Sequence, residues 1–537
     1  MLPRPKVLAA AREAALAAFF LALALYATRP LGRDLRGQTL AGPDPLIDLW
    51  TVGWLSSHAL EPGAIFEGNV FYPARRAVLF SDLSMGTAVF LAPLRLFVRD
   101  PVPLYNAGVL LALTFSGWAF SRLARELGAG VSGGLVAGVV AAFGSHQICH
   151  VYHLNLLTTG WLALLLVAFH RLATGGGWGM AALAGTSFAL CVQSSGYYAV
   201  AAALLTGLML LVHRRALVTA PARERTAAAL VLAALLSLPY VVAFLRLRSE
   251  EGLRRPPGLS EKMAFRPDRD LTSHTYLYRR VIGDAPGTEH LFPGVLALAL
   301  GGLALARRRP HARVYAGLVG VLLLVSLGPR LEIGSLSVPL PYAALFAIPP
   351  LEAMRHPYTF AAVAVMLLGV LAGLAVPRGR YAAPLVLVAV LEVLAPPLSI
   401  REVPAGVPPA YEMLARMPPG PILEIPVFSE GTLLWAARHG LPVVNGDGAF
   451  APVYHLTLQR YMKNHWLERE VPDIDASRPM PYLVQRIGPR YLVLPVGRFR
   501  GLDHLVEPLS RSRQFRLVAT ASDGDLVYER TDPAILF

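Results

Sequence analysis

Apolar and polar positions alternate along this chain on a long period. Runs of roughly 17–20 apolar residues, the length that crosses a bilayer's hydrocarbon core as a helix, are separated by short polar stretches rich in arginine. They predict membrane-spanning helices near 8–27, 103–121, 127–145, 155–171, 178–193, 196–212, 226–245, 290–306, 312–328, 357–375 and 380–398. One more stretch, 84–98, is shorter and holds Pro93 and Arg95. The positive-inside rule decides whether it crosses. If it does not, and the N-terminus is cytoplasmic, Arg122, Arg125, Arg171, Arg214, Arg215, Arg307, Arg308, Arg309, Arg378 and Arg380 all fall on the cytoplasmic side, while the short outer loops 146–154 and 194–195 carry no Lys or Arg. If it does, every one of these clusters moves outside. The pattern therefore predicts about eleven transmembrane helices, N-terminus in and C-terminus out, with 84–98 a juxtamembrane or re-entrant piece.

Long outer regions follow from that topology: 28–102, 246–289 and a tail, 399–537. After a Pro-rich start the tail changes character. Residues 421–427 and 490–496 read as short buried strands, and 515–521 with 526–530 as a hairpin around Ser522-Asp-Gly-Asp525. The expected fold class is mostly α: a polytopic transmembrane module, 1–398, with a small α/β domain, 399–537, on the outer face. Gly130, Gly134 and Gly138 recur every fourth residue in the third span, a close-approach pattern of packed membrane helices.

Composition narrows the class further. Of 537 residues 55% are hydrophobic and only 16% charged, against about 25% charged in an ordinary soluble domain; disorder, coiled coil and a disulfide scaffold are excluded. The formal charge of +14 comes almost wholly from arginine, since Lys6, Lys262 and Lys463 are the only lysines. Many of those arginines end apolar runs, where topology accounts for them, so nucleic acid is not expected as a partner. Cys149 and Cys191 offer neither zinc spacing nor a disulfide framework. The first run ends without a small-residue cleavage site, which predicts an uncleaved span rather than a signal peptide.

The first outer loop carries the most chemistry. Asp44 before Pro45 reads as a helix N-cap, and the helix that follows places Leu46, Leu49, Trp50, Trp54 and Leu55 on one side. Such a helix is expected to lie in the membrane interface with its tryptophans at headgroup level. Asp44 and Asp48, four residues apart, share a face. Two readings stand: a pair of reactive carboxylates at the membrane surface, or a capping residue beside a solvated one. His146, His150 and His153 are spaced so as to share one helical face and hold a metal, or simply to hydrogen-bond at the interface. Asp82 is a further substrate or metal contact. Gln193–Tyr198 lines a cavity or forms a turn, and Glu424, Glu430, Trp435, His439 and Asp447 in the tail suggest a carbohydrate surface or a capping domain.

The ordered strings Asp44-Pro-Leu-Ile-Asp-Leu-Trp50, Asn69-Val-Phe-Tyr-Pro73, Ser81-Asp82, His153-Leu-Asn155, Glu289-His-Leu-Phe-Pro-Gly294, Ser326-Leu-Gly-Pro329, Pro339-Leu-Pro341 and Arg355-His-Pro357 resemble the C-type (GT-C) integral-membrane glycosyltransferases, in a bacterial, polyprenyl-phosphate-sugar-dependent branch. The resemblance spans about residues 8–400 and is weaker in the tail. It implies a multi-pass enzyme of the bacterial cytoplasmic membrane that moves a sugar from a polyprenyl-phosphate donor to a hydroxyl of an envelope glycan, lipid or protein, with inversion. Asp44 would be the general base, with Asp48 as its partner or alternative, because many members carry two adjacent acids where this chain has them separated. Arg279, Arg280, Arg355 and His356 would meet the donor phosphate, or else serve lipid headgroups. A divalent metal, Mg²⁺ or Mn²⁺, is compatible with the resemblance. Two other functions fit the span pattern: a non-enzymatic transporter or flippase of lipid-linked sugars, and an inactive scaffold of the same fold.

Overall fold

The computed structural model describes residues 5–253, 258–333, 336–347, 354–427, 431–462, 487–499, 501–511 and 514–531; Glu430 and Lys463 lie outside them. The protein is a polytopic helical bundle followed by a small mixed sheet. Each predicted span contains a helix, and six helices among the described residues are long and apolar enough to cross a membrane by themselves: Val7–Ala27, Pro101–Glu126, Val131–Cys149, Leu154–Ala173, Ala220–Glu251 and Tyr358–Ala375. The rest are shorter, among them Gly196–Val212, Val295–Ala306, Ala312–Ser326 and Ala382–Val393. Residues 85–94 form a ten-residue helix, which at 1.5 Å per residue is about 15 Å long and cannot cross a ~30 Å hydrocarbon core.

Helix Ala220–Glu251 runs 32 residues, well past both ends of its predicted stretch. Arginine and glutamate end an apolar window without ending a helix, because both are good helix formers. Its C-terminal end is tied down by Glu250, 2.6 Å from Arg76 in the loop between the first two predicted spans.

Glycines set the closest helix approaches. A Cβ on Gly138 would stand 2.3 Å from the Gly117 carbonyl, and one on Gly134 would stand 2.7 Å from Ser121 Oγ. Gly130, the third member of the predicted stripe, meets only the Arg378 side chain at 3.5 Å. The tightest contact involves a glycine that the four-residue period misses: Gly133 and Gly373 face each other, and a Cβ on either would fall 2.2–2.4 Å from the other's carbonyl oxygen. Gly133→Val is therefore expected to force these helices apart and to destabilise by about 1–3 kcal/mol or more, read as a lower melting temperature in detergent. Gly130→Ala should leave it within error.

In the tail, strands Ile422–Glu424 and Tyr491–Leu494 pair in parallel, and Leu526–Arg530 and Phe515–Thr520 complete a four-stranded sheet by antiparallel pairing. The tail is sewn through the backbone to the loop between the first two predicted spans. Val443 donates to Asn69 O at 2.7 Å, Tyr72 to Val443 O at 2.9 Å, Phe71 to Asn445 O at 3.0 Å and Phe450 to Phe80 O at 2.8 Å. Strand Gln38–Leu40 also pairs with Ile400–Glu402, and Arg438 reaches Asp100 at 3.0 Å.

Two expectations about the first loop are corrected here. Helix Asp44–Ser57 does not lie in the interface with one face bare. It is buried nearly all round, packed on Met85–Leu94, on Pro101–Glu126 and on helix Thr432–His439 of the tail. Its tryptophans are anchored to protein: Trp50 Nε1 donates to Asn69 Oδ1 at 2.8 Å and Trp54 Nε1 to the Ala64 carbonyl at 3.1 Å. Nor does Asp44 cap the helix. Pro43 takes the N-cap position, Asp44 begins the first turn, and no side-chain cap bond forms, which leaves its carboxylate for other partners.

Candidate active site

The connections before and after the spans converge on one cavity of about 550 Å³, lined by Asp44, Asp48, Asp82, His150, His153, Arg355 and His356 among others. Those residues come from the loop between the first two predicted spans, from the turns near 150 and 196, and from the segment leading into helix Tyr358–Ala375. The tail adds Asp447–Phe450. A further wall is apolar: Tyr240, Val241, Phe244 and Leu245 of helix Ala220–Glu251, which elsewhere turns Leu235, Leu238 and Val242 outward. A cavity bounded by polar groups on one side and by a bilayer-facing helix on the other suits a ligand with a charged head and an apolar tail.

The two carboxylates occupy different environments. Asp44 has a side chain half exposed to the cavity, with Oδ2 at 3.4 Å from His153 Nε2. The His153 contact, supported by Arg355, holds its carboxyl below the ordinary aspartate range. Burial works against a charge on His153, but Asp44 outweighs it and the imidazole sits above its usual value. Carboxylate and imidazolium thus stabilise each other.

Asp48 is 7% exposed. Its Oδ2 accepts the Leu154 N–H at 2.8 Å, and Oδ1 accepts the Ser84 hydroxyl at 3.2 Å. Burial dominates those bonds and pushes its pKa up to about 7. One helix turn therefore separates a carboxylate kept ionised from one poised near neutrality, an arrangement that commonly marks divided roles.

Asp82 Oδ2 accepts from Asn155 Nδ2 at 2.6 Å, which ties the first loop to the turn after His153. Arg355 is the one arginine among the described residues lining the cavity. His356 stands with its ring 5.5 Å from Tyr197 and 5.0 Å from Tyr358. Arg279 and Arg280 are not brought to this lining; the Arg279 guanidinium rests over Tyr276 at 5.1 Å. His146 lies behind the cavity wall, beside a smaller void shared with His290, and its Nδ1 donates to the Glu289 carbonyl at 2.7 Å.

Sequence reasoning named Glu289 only inside a motif, yet its carboxylate meets the histidines: His150 Nε2 is 3.1 Å from Glu289 Oε2. The pair is 139 positions apart, so no local spacing reveals it.

The divalent ion that the resemblance allows can be tested against these donors. Mg²⁺ takes near-octahedral oxygen ligands. Asp48 and Asp82 already spend oxygens on backbone and side-chain donors, and Asp44 faces His153. Among the described residues, the one set of three His, Cys, Asp or Glu donors within 4.8 Å of one another is His146, His150 and Glu289. Its two imidazoles favour a softer ion than Mg²⁺.

No protein-family model and no curated protein matches the chain. Among solved structures it is similar to ArnT from Cupriavidus metallidurans in the apo state, with a TM-score of 0.46, 13% identity, and coverage of 97% of this chain and 98% of that one. It is also similar to the archaeal oligosaccharyltransferase AglB from Archaeoglobus fulgidus, solved with an inhibitory peptide and a dolichol-phosphate, with a TM-score of 0.39, 10% identity, and coverage of 90% of this chain and 69% of that one.

Proposed function

We propose that the protein is a membrane glycosyltransferase that moves a sugar from a polyprenyl-phosphate donor to a hydroxyl of an envelope glycan, lipid or protein, on the outer face of the bacterial cytoplasmic membrane. The observation that carries this reading is that a half-exposed carboxylate, Asp44, and a cation, Arg355, border one cavity whose apolar wall belongs to a lipid-facing helix. A lipid-linked donor cannot leave the bilayer, so its anomeric carbon must react at such a boundary.

Asp44 takes the acceptor proton as the hydroxyl oxygen attacks the anomeric carbon. The carbon–oxygen bond to the donor phosphate breaks on the opposite face, so configuration inverts. The bonding pair leaves with the phosphate, whose added charge meets Arg355 and His356. His153 holds Asp44 in its ionised form, and Asp48 supports the same turn from behind. Arg279 and Arg280, outside the cavity lining, are left a lipid-headgroup role. The carriage of lipid-linked sugars is less well supported. Glu392, the acid late in the last span, accepts from Tyr278 Oη at 2.5 Å and from the Leu296 N–H at 3.0 Å, a structural use at a helix start.

The test is transfer of radiolabelled sugar from a panel of polyprenyl-phosphate donors in membrane vesicles. Arg355→Gln is expected to lower transfer by about 10²–10³-fold, with Arg355→Lys keeping more activity as a point charge. Unchanged transfer in Arg355→Gln would remove the phosphate role.

A further inference from the structure

The three donors behind the cavity wall pose a proton-counting problem. His146 Nδ1 lies 2.7 Å from the Glu289 carbonyl, and His150 Nδ1 lies 3.0 Å from the His146 carbonyl. A carbonyl can only accept, so both Nδ1 atoms carry hydrogen, and in the neutral rings Nε2 is the bare lone pair. Yet His150 Nε2 stands 3.1 Å from Glu289 Oε2, another acceptor. That oxygen is fully buried and receives no hydrogen bond. One ring nitrogen from each histidine and a carboxylate oxygen of Glu289 lie within 4.8 Å of one another, and each ring is already oriented by a backbone carbonyl, as metal-ligating histidines usually are.

We infer that His146, His150 and Glu289 form a binding site for a zinc-class divalent cation. Two imidazoles and one carboxylate are a ligand set that zinc accepts while keeping a fourth position open. His150 is the member that also lines the large cavity, so the open position faces that space and takes water or an anionic oxygen. The backbone supports the assignment. The short helix Ser145–Cys149 follows directly on Val131–Phe143, which sets the two histidines one turn apart, and Glu289, 139 positions beyond His150, closes the set. The metal proposal stands on this geometry and does not depend on the sugar-transfer reading.

The experiment uses the full chain, purified in detergent with a histidine-free tag, stripped with a chelator and reloaded with Zn²⁺ or Co²⁺. Expected are one tightly held Zn²⁺ per chain by elemental analysis, a tetrahedral-type Co²⁺ absorption band, and a melting temperature that rises on loading. Glu289→Gln keeps the side-chain shape and the backbone carbonyl that orients His146. It should retain the fold by circular dichroism while weakening Zn²⁺ by at least ~100-fold, the upper end of what even an outer partner's loss causes. His150→Asn should do the same, and His274→Asn, nearby but outside the set, should leave one Zn²⁺ per chain. Wild-type protein with no stoichiometric metal and no Co²⁺ band would overturn the site. Undiminished binding in folded Glu289→Gln would do so too, as would loss in His274→Asn alone.

Discussion

Asp44→Asn is expected to lower sugar transfer by about 10²–10⁴-fold, the usual worth of a positioned general base, with the fold and donor binding retained. The Asn side chain keeps the size of the carboxylate but can neither take the acceptor proton nor pair with the His153 imidazolium 3.4 Å away. Asp48→Asn should fall much less, because its oxygens already serve Leu154 and Ser84, and an amide can accept from the first and donate to the second. The pH dependence separates the two candidates. A base held below the ordinary aspartate range by His153 and Arg355 stays ionised through the mildly acidic range, so wild-type transfer should show no loss from that group between pH 5 and 7. Were Asp48 the base, transfer would fall as pH drops through about 7. A transfer–pH profile with that limb, together with full activity in Asp44→Asn, would reverse the assignment.

The second large effect is on stability. Asp48 titrates near 7 when folded and near 3.9 when unfolded, so between those values the native state holds a proton that the unfolded chain lacks. Stability must then fall as pH rises across this window and stay low above it. From pH 5 to pH 8 the loss is about 3 kcal/mol, at 1.36 kcal/mol per unit. His153, whose raised value gives stability below its folded pKa and loses it above, adds a slope of the same sign. The two are separated by comparing wild type with Asp48→Asn. The variant's melting temperature should exceed that of wild type at pH 8, and the gap should shrink towards pH 5. Equal melting temperatures at both pH values would show that burying the Asp48 charge carries no penalty.

The membrane spans were legible because a bilayer imposes a length that apolar runs report directly. The tail strands were legible for a related reason: short buried β segments such as Tyr491–Leu494 are continuous in apolar residues. Asp44, Asp48, Asp82, His150, His153, Arg355 and His356 were all named from sequence, and the structure gathers them on one cavity.

What sequence reasoning missed depends on distant partners. The apolar side of helix Asp44–Ser57 looks like a membrane-facing stripe until helix Thr432–His439 is placed over it. The capping role given to Asp44 failed because Pro43 occupies the cap, which periodicity does not reveal. The Glu289 carboxylate joins His150 across 139 positions, and only the packing of the bundle brings them together.

The seam between the first loop and the tail has a practical consequence for chimaeras. Exchanging residues 399–537 as a cassette would sever the backbone bonds from Asn69, Phe71, Tyr72 and Phe80, strip the cover from Trp50's hydrogen-bonding partner Asn69, and remove the cavity wall at Asp447–Phe450. A graft that respects the hydrogen-bond pattern must carry the 69–80 stretch along with its C-terminal partner, so two pieces hundreds of residues apart form a single heritable module.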